Sequence, residues 1–191
     1  VLQRKIAGYL VNKPDGLQGE PGLAYDYVLA ANGLLVRAEK VTGAGLALLR
    51  ATVLVAEAGV RGLAPLEPRL ELPQGKVPGD LWRAALRMAQ LRWPQELYLA
   101  ITWRGCYQLE VPEQEATPGS IRYTALPDTV VDIHSHGGMG GFFSSTDNAD
   151  DRGFRISVVV GHVDRLLKDT AARISVYGHT GPVWLGDIFM L

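Results

Sequence analysis

Apolar residues in the first third of the chain fall in short runs and alternations, the pattern of β-strands rather than helices. Leu23 to Ala31 and Gly33 to Val36 flank the pair Asn32-Gly33, a dipeptide suited to the positive φ angles of a tight hairpin turn. Leu46 to Val55 is rich in Leu and Val, and Pro68 to Leu72 alternates Leu70 and Leu72 with Arg69 and Glu71. Lys13 to Gly22 carries two prolines and three glycines and reads as a loop. No repeat with a period of 20–50 residues is visible.

At Pro73 to Gly79 turn formers take over and the periodicity changes. Leu81, Ala84, Ala85, Met88 and Leu91 follow helical spacing, and Asp80 stands where an N-cap belongs. Trp82, Leu86, Ala89 and Trp93 add a second apolar strip, so the pattern predicts a helix buried over more than half its circumference. Pro94 ends it, lacking an N–H and disfavouring helix in the residue before it. Leu97 to Trp103 then reads as a strand, with Cys106 to Val111 as its hairpin partner across Arg104-Gly105. Pro112 to Ser120 is a polar, Pro/Gly-rich loop. Strand-like runs follow at Ile121 to Ala125, Thr129 to His136, Arg155 to Val160, Arg173 to Tyr177 and Val183 to Met190, with a short helix near Thr146 to Arg152. The expectation is an α/β sandwich over residues 77–191, preceded by a β-rich extension over residues 1–76.

Composition narrows the classes of function. The 191 residues are 47% hydrophobic and 20% charged, enough for a packed core and too apolar for a disordered chain. Lys and Arg number 19 against 20 Asp and Glu, which leaves no basic excess to track a nucleic-acid backbone. The one cysteine, Cys106, has no partner for an internal disulfide and no Cys or His at metal-ligand spacing. Gly43 to Val60, the longest apolar stretch, is interrupted by Arg50 and Glu57 and is too short to span a bilayer. The N-terminus lacks a secretory pattern. A cytoplasmic setting without membrane or nucleic-acid partners is the expectation.

Chemistry concentrates between Asp132 and Asp147 (DIHSHGGMGGFFSSTD). His134 and His136 end an apolar strand, where positions i and i+2 project from the same face. Glycines at 137, 138, 140 and 141 let the chain turn so that Asp147 can return to them. Two imidazoles and a carboxylate suffice as protein ligands for a catalytic zinc that keeps one position open. Ser144-x-x-Asp147 is also a capping motif, with the serine capping a helix and the acid reaching back. The glycine run lacks the Gly-Lys-Ser/Thr ending of a phosphate loop. Asp132 shares the face of His134, as a supporting partner or a solvated group. His162 and His179 read as loop residues with surface or structural roles.

His134-x-His136, seven residues, Ser144, two residues and Asp147 together resemble the JAMM motif of the JAB/MPN metalloproteases. The resemblance covers about residues 77–191 and implies a JAB/MPN-type, cytidine-deaminase-like α-β sandwich with a mixed sheet. It implies Zn2+ held by His134, His136 and Asp147, and a glutamate just after the first helix that handles the proton of the attacking water. Glu96 stands at that position, although Leu97-Tyr-Leu-Ala-Ile-Thr-Trp103 replaces the Gly-Leu-Leu-Gly stretch common in the family. Glu57, Glu67, Glu71, Glu110, Glu113 and Glu115 compete for the role, but a proton shuttle is better placed at an element junction than on a mobile loop. Within the family the N-terminal extension is similar to that of the PRTRC-system branch. The implied substrate is a peptide or isopeptide bond at the tail of a ubiquitin-like protein, with a ThiF/E1-like protein as a further partner.

The residues permit metal-assisted amide hydrolysis, with Ser144 donating a hydrogen bond to the oxyanion and Glu96 moving the proton. No base is placed to activate Ser144 as a nucleophile. An amidohydrolase barrel needs about 250 residues and further histidines, and a zinc deaminase needs a Cys-x-x-Cys that one cysteine cannot supply. The remaining alternative is a catalytically silent JAB-like scaffold or binding module.

Overall fold

The computed structural model describes residues 5–150 and 152–191. They form two compact units: residues up to Gln74 make the first, together with Arg152–Phe154 and Ile174–Gly181, and the remainder from Gly75 onward makes the second.

The first unit is built on six strands: β1 (Ala7–Lys13), β2 (Gly16–Glu20), β3 (Tyr25–Ala30), β4 (Gly33–Val41), β5 (Ala47–Glu57) and β6 (Arg69–Glu71). They lie in the order β2-β1-β3-β4-β5-β6, with β1 parallel to β3 and every other neighbour antiparallel. Val28, Leu35, Leu48 and Leu49 are fully buried. The stretch expected as a loop, Lys13 to Gly22, contains β2, which pairs with β1 across Pro14-Asp15. Every residue of this edge strand is exposed, so no alternation of apolar and polar residues marks it. The β3–β4 hairpin forms as expected, one residue earlier: Ala30 pairs with Gly33, so Ala31 and Asn32 make the turn. Gly33 is required for a different reason. Its φ is 139°, and a Cβ there would stand 2.1 Å from the Ala56 carbonyl oxygen.

In the second unit, α1 (Gly79–Arg92) is followed by β7 (Tyr98–Trp103), β8 (Tyr107–Glu110), β9 (Gln114–Thr117), β10 (Ser120–Tyr123), β11 (Thr129–Ser135) and α2 (Ser145–Asp150). Then come β12 (Phe154–Gly161), β13 (Asp169–Val176), β14 (His179–Pro182) and α3 (Leu185–Ile188), of which Phe154, the last three residues of β13 and all of β14 but Pro182 belong to the first unit. The large sheet runs β14-β13-β12-β11-β7-β8 and is mixed, with β11 parallel to β12 and antiparallel to β7. Its central strands are covered on both faces, which explains their nearly unbroken apolar runs. Mixed β-sheets with few helices thus describe the chain. Among the described residues no helix is long and apolar enough to cross a membrane.

Four local expectations need correction. Pro78, not Asp80, is the N-cap of α1, and Asp80 lies in the first turn, where its charge suits the helix dipole. That helix buries a narrow strip of Gly79, Trp82, Ala85 and Ala89, while Leu91 is 87% exposed. Pro112 to Ser120 is not a bare loop, because β9 and β10 form a separate antiparallel hairpin there. Val183 to Met190 is not a strand: Gly186 and Asp187 interrupt its apolar run, and α3 forms one turn that buries Ile188.

Candidate metal centre

Strand β11 carries the first imidazole and leads directly into the second. Asp132 and His134 occupy alternate positions on one face of the strand, His136 follows one residue past its end, and the register pairs His134 with Tyr98 and Val159. Beyond His136 the chain folds back on itself. Gly137 has φ 55°, and a Cβ there would lie 2.9 Å from the Pro94 carbonyl oxygen. His162, at the end of β12, braces this loop: its Nδ1 donates to the Gly138 carbonyl at 2.9 Å and its Nε2 lies 3.3 Å from Asp169 Oδ2. His162 and His179 therefore have structural contacts outside the cluster, His179 Nε2 sharing a hydrogen bond of 2.9 Å with the Tyr27 hydroxyl.

The loop brings Asp147 to the histidines. His134 Nε2 is 3.2 Å from His136 Nε2 and 3.2 Å from Asp147 Oδ1, and His136 Nε2 is 3.6 Å from Asp147 Oδ2. A tetrahedral ion with bonds of about 2.0–2.1 Å spaces its ligand atoms by about 3.3–3.4 Å; the two imidazole nitrogens stand close to that spacing, and Asp147 presents one carboxylate oxygen to each ring. The tautomer agrees. His136 Nδ1 donates to the Gly140 carbonyl at 3.3 Å, which leaves the Nε2 lone pair for the centre. Phe142 meets the His136 ring edge-on, with centroids 5.2 Å apart.

The capping motif and the ligand set are one structure. Ser144 Oγ accepts from the Asp147 backbone N–H at 3.2 Å, and Asp147 Oδ2 accepts from the Ser144 backbone N–H at 2.6 Å. The cap thus ties both the Ser144 hydroxyl and its backbone N–H to Asp147.

Electrostatics favour positive charge among these donors. Burial opposes the charge on Asp147, but hydrogen bonds from His134, His136 and Ser144 outweigh it and hold the carboxyl well below the usual range. Burial disfavours the charged form of His136, yet the carboxylates of Asp147 and Glu96 and the Gly140 carbonyl prevail and raise its pKa. A proton or a metal ion can meet that demand, and the two compete for the same nitrogen.

Glu96 is 5% exposed and lines the same cavity of about 270 Å3 as His134, His136, Ser144 and Asp147. Its backbone N–H donates to the Thr117 carbonyl at 3.1 Å, while Leu97 is bonded to Ser135 through N–H to Oγ at 3.0 Å and carbonyl to N–H at 2.9 Å. The residue is thus pinned between the β9–β10 hairpin and the end of β11. Burial pushes its carboxyl pKa up, the two imidazoles oppose that, and Asp147 adds to it. The competing glutamates do not line the cavity; Glu110, for example, accepts from Thr102 Oγ1 at 2.5 Å and pairs with Arg104 at 3.2 Å.

The sequence reading missed much of the cavity wall. Arg155 and Ser157 of β12, Arg173 of β13, Ile121 and Tyr123 of β10, and Phe143 all line it. Asp132 is buried and accepts hydrogen bonds from the Tyr98 hydroxyl and from Arg155 Nη1, the latter at 3.1 Å. The Gln114 side chain bonds both the N–H and the carbonyl of Tyr98 at 2.9 Å, and the Tyr98 ring stacks on Tyr123. These contacts secure the hairpin at the cavity. One signal was present in the sequence: Arg-Ile-Ser-Val occurs at 155–158 and again at 173–176, placing an arginine in each of two apolar strands.

The family model for prokaryotic homologs of the JAB domain matches residues 78–175, and the chain belongs to that family. No curated protein matches it significantly. The JAB family includes metalloproteases, and the His134-His136-Asp147 cluster is one that could hold a metal ion.

Proposed function

We propose that the protein is a zinc-dependent amide hydrolase of JAMM type, acting on a peptide or isopeptide bond at the tail of a ubiquitin-like protein. The observation that carries this reading is the convergence of His134 Nε2, His136 Nε2 and a charged Asp147 within 4.8 Å of one another, beside a buried glutamate. Zinc bound by these three residues would lower the pKa of water from 15.7 to about 7 and polarise a carbonyl oxygen. The protein's own residues supply the remaining steps. Glu96 takes the proton of the attacking water on a carboxylate oxygen and passes it to the departing amine nitrogen. The Ser144 hydroxyl donates to the oxyanion as it develops. Ile121, Tyr123, Met139 and Phe142 line the cavity with apolar surface, and the β10 backbone offers an extended tail a strand to lie beside.

In this reading residues 77–191 form the catalytic domain, with the cytidine-deaminase-like sandwich of the JAB/MPN proteins. Residues 1–76 form an extension like that of the PRTRC-system branch, and a ThiF/E1-like protein is the expected companion in a bacterial cytoplasm.

The test is hydrolysis of a ubiquitin-like protein carrying a C-terminal amide-linked reporter. Cleavage should stop when a chelator strips the protein and return on addition of zinc; cleavage indifferent to chelation overturns the proposal. Ser144→Ala should slow turnover by about 10²–10³ through loss of the oxyanion donor. It should also cost about 1 kcal/mol of stability through loss of the cap. Steady-state kinetics and urea unfolding separate the two effects.

A further inference from the structure

We infer that Arg173 is a positioning residue that sets the affinity of the cluster for its metal by fixing the backbone of Asp147. The inference rests on the metal reading above. Helix α2 has six residues, too few to hold a helical conformation unaided, so tertiary contacts must decide where Asp147 points. Arg173 reaches across from β13 and holds three residues around the ligand. Its Nη2 donates to the Asp147 backbone carbonyl at 3.2 Å, and its Nη1 donates to Asn148 Oδ1 at 2.5 Å. Its guanidinium carbon lies 3.8 Å from the centroid of the Phe143 ring, immediately before the Ser144 cap.

The choice of acceptors matters. These two donors engage a peptide carbonyl and a side-chain amide, leaving the Asp147 carboxylate directed at Ser144, His134 and His136. An arginine bonded to the carboxylate itself would compete with a cation; one bonded to the carbonyl orients the ligand without neutralising it. The planar fork and the stacked face are features a lysine does not share.

The test is zinc affinity of the full chain, measured by competition with a chelating dye. Arg173→Met should weaken binding by about 10–100-fold, the usual effect of removing a group that orients a ligand. Asn148→Ala, which keeps the carbonyl bond and the stack, should weaken it less, and Arg173→Lys should restore only part of the loss. The metal-free variants should match the wild type in circular dichroism and thermal midpoint, which separates positioning from a fold defect. Arg173→Met binding zinc as tightly as the wild type overturns the inference and leaves the metal reading standing. A wild type that binds no zinc removes both. If Arg173→Met does not fold, Asn148→Ala and Phe143→Leu decide the question: unchanged affinity in both overturns the inference.

Discussion

Replacing Asp147 by alanine is expected to abolish stoichiometric zinc binding and, with it, all amide hydrolysis. The carboxylate is the only formal negative charge among the three donors, and both its oxygens face imidazole nitrogens at 3.2 and 3.6 Å. Without it, two neutral rings remain, and they cannot complete the three-ligand arrangement of catalytic zinc sites. The substitution also removes the acceptor for the Ser144 backbone N–H. Asp147→Asn separates these effects, since the amide oxygen can still serve the cap while the charge is gone. Both variants should carry less than a tenth of the wild-type zinc, measured by elemental analysis after dialysis. His134→Ala should behave as Asp147→Ala does. If Asp147→Ala retained a full equivalent of zinc, the cluster would not be the metal site.

Much of this centre was legible in the sequence because it is local. His134 and His136 are two apart on a strand whose neighbours are apolar, so the strand period alone puts them on one face. The return of Asp147 was readable from glycines and a capping pair, both short-range signals. Arg155 and Arg173 were not readable in this way. Each acts on residues more than twenty positions distant, Arg155 on Asp132 and Arg173 on Asn148, and such pairings follow only from sheet order. The β9–β10 hairpin escaped for a different reason. Its strands have four residues each and alternate half-buried with exposed positions, so few apolar side chains announce them. The β2 edge was missed on the same grounds, since an element that buries little leaves little hydrophobic pattern, whereas the single turn of α3 was misread because the apolar residues around Gly186-Asp187 imitate a strand. Where burial is deep, in β7, β11 and β12, expectation and structure coincide within a residue or two.

Replacing Glu96 by glutamine should leave one zinc per chain and lower turnover by about 10²–10⁴, the range that a general base contributes. Glutamine keeps the shape and a carbonyl oxygen but cannot accept and return a proton. Separation of metal content from activity is therefore the signature of a proton shuttle, as opposed to a fourth ligand. The pH dependence has a definite sign. Burial disfavours the charged carboxylate, so its folded pKa lies above the unfolded value. A group shifted this way contributes stability that is present at low pH and lost as pH rises through the folded pKa. At neutral pH the wild type therefore carries the penalty of a buried charge, and the metal-free Glu96→Gln protein should be at least as stable in urea, its relative advantage shrinking as the pH is lowered. Turnover of the wild type should rise with pH through the ionisation of Glu96, and that limb should be missing from the residual activity of the variant. Full activity in Glu96→Gln would transfer the role to a group other than a glutamate, since among the described glutamates none other lines the cavity.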